Sequence, residues 1–255
     1  MPKYDLLFEP PLMNAAGTLG FAPQPHAFPH LAQLGLFITN PISLRPRPPA
    51  GGRRFAPAPG GFLLHTGYPN PGIYRTVRRF RRHWARSPLP VAVHLLALTV
   101  DEVKRCVQII ERVEGVYGIE LGLPPEVAPG LACELVLAAA GELPVIVRLP
   151  LERAADLAQA LADSGAPLVA ASLAPPRGIL PDEDAAGANW MTGRFYGPAV
   201  FPLALAAVQA IVRSRLPVIG AGGVYSPAQA QAMRAAGALA VQLDSVLWRG
   251  GYFSS

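Results

Sequence analysis

The chain has 255 residues, 51% of them hydrophobic and 15% charged, and a formal net charge of +5. That balance excludes a disordered chain, which has too few apolar residues to offset the entropy of ordering, and allows one large domain or two small ones. No apolar run approaches the ~18 residues of a membrane span. The opening MPKYDLLFEP lacks the pattern of a secretory leader, and only two cysteines, Cys106 and Cys133, are present, so a soluble cytoplasmic protein without membrane contacts or a disulfide framework is expected.

In chain order, eight apolar segments stand out: 11–16, 36–41, 90–96, 118–123, 144–150, 167–173, 217–223 and 240–245. Each is almost continuously apolar, as in parallel strands covered on both faces. A Pro/Gly-rich stretch, 42–72, follows the second segment. Next, Ile73, Val77, Phe80 and Trp84 fall on one helical stripe, with arginines over the rest of the surface. That arrangement reads as a solvated helix face and not as a nucleic-acid surface. Thr99 and Glu102 form a capping box ahead of Val103, Val107 and Ile110. Both cysteines fall in expected helices and read as small packing residues. A helix runs from 151 to a stop at Gly165. After the sixth segment comes a second long insertion, 174–197, and then a helix from 197. The last helix has Ser226 as N-cap, Pro227 in its first turn and Gln229 closing a capping box.

Strand and helix alternate throughout, which predicts an α/β fold: a single (β/α)8 TIM barrel over 1–255. The insertions 42–72 and 174–197 follow strand C-termini, where barrels keep lids and binding loops. Only VLWRGGYFSS follows the last segment. The C-terminal helix is therefore expected to be truncated, leaving an apolar flank for a homo- or hetero-oligomeric partner.

Gly220, Gly222 and Gly223 end the seventh segment just before a capped helix. Glycines there let backbone N–H groups approach a phosphate, so a phosphate-bearing small ligand is expected. The polar residues near strand ends are Asn14, Asn40, His65, His94, Glu120, Arg148, Ser172 and Asp244. These fit either acid–base work or structural pairing, such as Glu120 with Arg148 on the next strand. No HExxH or CxxC spacing occurs, so no metal site is expected.

PPLMNAAGTLG, GGFLLHTGYPNPG, GIELGL, PVIVRLP, GRFYGPAVFPLAL and PVIGAGGVYSPAQAQAMRAAGALAVQL resemble, in order, the landmarks of the dihydroorotate dehydrogenase family. The similarity follows the cytosolic class most closely and runs from residue 10 to about 247. It implies a barrel of the FMN-linked oxidoreductase type, with FMN at the strand C-termini, oxidising dihydroorotate to orotate in pyrimidine biosynthesis. Carried over position by position, cofactor contacts fall on Ala16, Gly17, Arg148, Gly222, Gly223, Asp244 and Ser245. Pocket positions are Asn40, Leu64, His65, His94, Gly122 and Ser172.

The chain departs from the family pattern at these positions. Asn40 and Pro41 replace a Lys-Thr pair, and Leu64 replaces an asparagine. Gly122 and Pro125 stand where a substrate-binding asparagine and the base cysteine are expected, with Pro124 between them. Arg148 replaces the flavin lysine, Ala171 and Ser172 an Asn-Thr pair, and Asp244 and Ser245 a Gly-Thr that helps bind the FMN phosphate. Proline has no side-chain proton acceptor, so no catalytic residue is identified. Each polar ligand group left unpaired costs about 1–3 kcal/mol. An ionised Asp244 beside a phosphate charge adds about 1–4 kcal/mol of repulsion at ~4 Å. These changes predict a repurposed ligand-binding or non-catalytic partner protein. The alternatives are an FMN oxidoreductase with a changed substrate, favoured by the surviving glycines and NAAG, and, behind it, an active dihydroorotate dehydrogenase.

Overall fold

The computed structural model describes residues 8–96, 98–182, 190–249 and 252–253. The strands are β1 (Leu12–Asn14), β2 (Phe37–Ile38), β3 (Phe55–Ala58), β4 (Gly61–Leu64), β5 (Val91–Leu96), β6 (Val116–Gly122), β7 (Val145–Pro150), β8 (Ala170–Ala174), β9 (Arg177–Pro181), β10 (Trp190–Tyr196), β11 (Ile219–Ala221) and β12 (Ala240–Leu243). The helices are α1 (Ile73–Ala85), α2 (Val100–Ile110), α3 (Pro129–Ala139), α4 (Ala154–Asp163), α5 (Phe201–Arg213) and α6 (Pro227–Ala235).

The fold is mixed α/β. A curled parallel sheet has the order β2-β5-β6-β7-β8, and a second sheet has the order β1-β12-β11. Parallel bridges join Met13 to Leu36 and Ala171 to Val218. Alternation along the strands divides the apolar residues in two. Val91, Val93, Leu95, Ile119, Leu121, Val145, Val147 and Leu149 join the large core that includes the helices. Met13, Leu36, Ile38, Ala92, Ile146, Ala170, Ile219 and Ala240 form a separate cluster from the alternate positions.

The helices form where the sequence signals them. Thr99 caps α2 by accepting from the Glu102 amide at 3.2 Å, an interaction that contributes about 1 kcal/mol. Ile73 and Trp84 bury the stripe of α1, with Val77 and Phe80 packed beside them. Ser226 caps α6, but the Gln229 side-chain oxygen accepts from the Tyr225 amide at 2.7 Å and not from the Ser226 backbone amide as a closed capping box requires. Among the described residues, no helix is long and apolar enough to cross a membrane.

The two insertions differ from the loops expected of them. Together they build a four-stranded antiparallel sheet, β3-β4-β10-β9. Pro59 and Gly60 turn the β3–β4 hairpin, with Gly60 at φ +76. The seam between the insertions pairs Leu64 with Arg194 and Phe62 with Tyr196. A Cβ on Gly61 would lie 2.0 Å from the Tyr196 oxygen, and one on Gly197 would lie 2.3 Å from the Gly60 oxygen. Only glycine lets the two backbones approach this closely. Leu63, Ala56 and Met191 give the sheet its own small core.

Candidate active site

A cavity of about 400 Å³ lies between the antiparallel sheet and the C-terminal ends of the parallel strands. Its floor includes His94, Leu96, Gly122 and Arg148, and its walls include Leu123, Pro124 and Pro125. Leu64, His65, Tyr68, Thr192, Arg194 and Tyr196 reach it from the two insertions. Four arginines line it, Arg47, Arg148, Arg177 and Arg194, and none of the lining residues is acidic. This volume suits a small molecule, and the one-signed charge within low-dielectric walls favours an anion. The arginines are held in place. Arg177 pairs with Glu126, Arg194 donates to the Pro175 oxygen at 2.9 Å, and Arg47 donates to the Gly67 oxygen at 3.3 Å. Tyr68 adopts φ +53, uncommon outside glycine, and is fixed by Thr66 and Asn70.

Beneath the floor, Glu120 is fully buried and collects four partners. Its Oε2 lies 2.6 Å from His94 Nδ1 and 3.9 Å from Arg148 Nη1. Its Oε1 accepts from Ser172 Oγ at 2.9 Å and from Gln242 Nε2 at 2.6 Å. Burial pushes the Glu120 carboxyl up, but the His94 hydrogen bond, the Arg148 charge and the Gln242 amide together outweigh it and hold its pKa at about 2. Burial lowers the His94 pKa by more than Glu120 raises it. The pair is thus a carboxylate and a neutral imidazole. Because the carboxylate can only accept, Nδ1 carries the hydrogen. The sequence pointed to Arg148 as the partner of Glu120; the closer partner is His94, directly opposite it in register on β5. His94 Nε2 has no hydrogen-bond partner among the described residues and lies beside Gly122, where a Cβ would approach it to 2.6 Å. Gln242 Oε1 is buried and unpartnered among the described residues, because its amide is turned to Glu120.

The sequence candidates do not all meet at the cavity. Leu64, His65, His94, Gly122 and Arg148 meet at the cavity, as does Pro125. Ser172 lies beneath it on Glu120, while Asn40 accepts from the Gly20 amide at 3.1 Å and leaves the wall to Pro41. Asn14 joins β1 to β2, donating to the Ile38 oxygen at 2.7 Å and accepting from its amide at 2.9 Å. Arg148 Nη1 reaches the oxygen of buried Ala16 at 3.5 Å, and Gly17 takes φ +92.

Gly222, Gly223, Asp244 and Ser245 do not line the cavity. Asp244 is buried, and its Oδ1 accepts from the Ser245 amide at 2.5 Å and hydroxyl at 3.1 Å. Tyr225 Oη lies 2.8 Å from the same hydroxyl. Burial pushes the Asp244 carboxyl up, opposed by Ser245, the Gly223 amide and Arg148. A Cβ on Gly223 would lie 2.4 Å from the Phe201 nitrogen, and one on Gly222 would lie 3.1 Å from Val200 Cγ1. The start of α5 therefore fills the room these glycines leave. Among the described residues, no three His, Cys, Asp or Glu side chains are grouped to hold a metal ion.

Sequence reasoning missed Arg47, Arg177 and Arg194. Their signal was present: insertion 42–72 carries Arg45, Arg47, Arg53 and Arg54, insertion 174–197 carries Arg177 and Arg194, and both follow strand C-termini. Tyr225 was also missed, and nothing in the sequence marks its contact with Ser245.

The family described as dihydroorotate dehydrogenase has a model that matches residues 4–147. The catalytic subunit of dihydroorotate dehydrogenase B (NAD(+)) from Pelobacter propionicus is 31% identical over 252 residues, covering 92% of this chain and 83% of that protein. Its counterpart from Desulforudis audaxviator is 31% identical over 257 residues, covering 94% and 83%. The one from Cutibacterium acnes is 31% identical over 251 residues, covering 91% and 81%.

Proposed function

The chain belongs to the dihydroorotate dehydrogenase family, and from that premise we propose that it is a single (β/α)8 barrel whose site binds a small anion in place of oxidising dihydroorotate. For the barrel, the bridges Met13–Leu36 and Ala171–Val218 support a ring in which the two parallel sheets are successive arcs. The observation that carries the functional reading is the cavity lining: four arginines and no acidic residue among the lining side chains, with Pro125 where the family places its proton acceptor. A proline there takes no proton. Leu64, Gly122 and Ala171 offer no amide to a polar ring, and each group so stranded costs about 1–3 kcal/mol.

The FMN that the family implies does not fit the phosphate end in the family's pose. Asp244 already takes the Ser245 donors and also accepts from the Gly223 amide. The names of the relatives, catalytic subunits, support an oligomer or a partner subunit for this chain as well.

Thermal-shift titration tests the reading, with acetate, pyruvate, phosphate and orotate set against acetamide and uracil. Saturable stabilisation by the anions alone is expected, reduced in the Arg47→Gln/Arg194→Gln double variant, with no acceptor dye reduced by dihydroorotate. A chain that purifies yellow with near-stoichiometric FMN and oxidises dihydroorotate overturns it.

A further inference from the structure

We infer that His94, oriented by Glu120, is a general base that opens onto the arginine-lined cavity and supplies the proton acceptor that Pro125 cannot. The inference rests on the reading that this cavity admits a small anion. Three observations converge on it. First, the hydrogen bond from Nδ1 to Glu120 at 2.6 Å fixes the ring and leaves Nε2 as the nitrogen with the free lone pair. Second, that lone pair is unspent: Nε2 meets no donor among the described residues, and His94 is a floor residue of the cavity. Third, the chain makes room for it. Any side chain at 122 would begin 2.6 Å from Nε2, so Gly122 and this placement of His94 require each other.

Histidine pairing alone would not single out a base, because buried imidazoles are often only satisfied. Here the satisfaction is one-sided. The inner nitrogen is bound to a carboxylate that Ser172 and Gln242 also hold, while the outer one is left to the cavity. A base oriented by a carboxylate behind it, facing a space for a reacting group, is the arrangement proton abstraction requires.

The step balances within the site. An acidic C–H or O–H of the bound anion gives its proton to Nε2, and the electron pair stays on the ligand beside the Arg148 guanidinium. The imidazolium formed keeps Nδ1–H on Glu120, so its new positive charge is paired at once. The ligand class is a small carboxylate or phosphate with an acidic hydrogen near its charged group.

Bromoacetate is the probe, with neutral bromoacetamide as control. Nε2 attacks the methylene carbon, a C–N bond forms, the C–Br bond breaks and bromide leaves, giving the same charge state as the protonated base. Peptide mass mapping reads the site. Bromoacetate is expected to label His94 about tenfold faster than His26, His30, His65 or His83, and faster than bromoacetamide does. Glu120→Gln is expected to slow His94 by about tenfold and leave the other four unchanged. No labelling of His94 by either reagent, or a Glu120→Gln rate equal to wild type, overturns the base. Equal rates for the two reagents uphold the base but overturn the anion-selective cavity. Should Glu120→Gln not fold, nitrogen-15 NMR of the wild-type chain decides: a neutral His94 protonated on Nδ1 supports the inference, and one protonated on Nε2 overturns it.

Discussion

Asp244 turns its carboxyl onto its own neighbour. Buried, it accepts from the Ser245 amide and hydroxyl, which under the proposed function are the donors a phosphate would use. Asp244→Ala is expected to lower stability by about 1–3 kcal/mol, because it strands those donors. The same variant should gain a saturable thermal shift from inorganic phosphate beyond any response of the wild-type chain; identical phosphate responses would sink the account. The sequence marked Asp244 as misplaced beside a phosphate, and it marked His94, Glu120 and Arg148 as polar residues at strand ends. It paired Glu120 with Arg148 but did not show the closer pairing with His94. Residue type and strand were legible, but register was not. The β5–β6 register sets His94 opposite Glu120, while the β6–β7 register sets Arg148 opposite Gly122, which leaves Arg148 as the more distant partner of Glu120.

Among the elements, the parallel strands were legible because burial on both faces writes a continuous apolar run. The antiparallel cover was not. Its strands are short and rich in glycine and proline, and their partners lie far apart in sequence, as with Leu64 and Arg194. The FAPAPGGFLL alternation around a Pro-Gly turn was the one local hint of a hairpin. The seam depends on glycine. Gly197 has φ +139, and a Cβ there would meet the Gly60 oxygen at 2.3 Å. Gly197→Ala is expected to cost about 1–3 kcal/mol. Hydrogen exchange should show faster exchange across β3, β4, β9 and β10, with β5 to β8 unchanged. Uniform loosening of both sheets would show that the cover is not a separable unit.

At the scale of the whole molecule, the buried pair sets how stability responds to acid. His94 has its pKa lowered by burial, so between that lowered value and 6.5 the unfolded chain binds a proton that the folded chain refuses. Glu120, held at about 2 against an ordinary 4.5, adds a second window of the same sign below 4.5. These two groups therefore lower stability as pH drops from 6.5 and again below 4.5, against Asp244, whose raised pKa acts with the opposite sign. Urea unfolding at pH 7.5, 5.5 and 4 checks this, and His94→Gln should flatten the upper window while keeping the lower. A wild-type curve flat from 7.5 to 5.5 would contradict the account. Glu120 also joins the two parallel sheets. It sits on β6 and draws on β5, β7, β8 and β12, so its partners belong to both. Displacing β12 would remove Gln242 and leave a buried carboxylate short of a donor. The cost of stranding that group makes one side chain a tie between the arcs, so that loosening either is felt by the other.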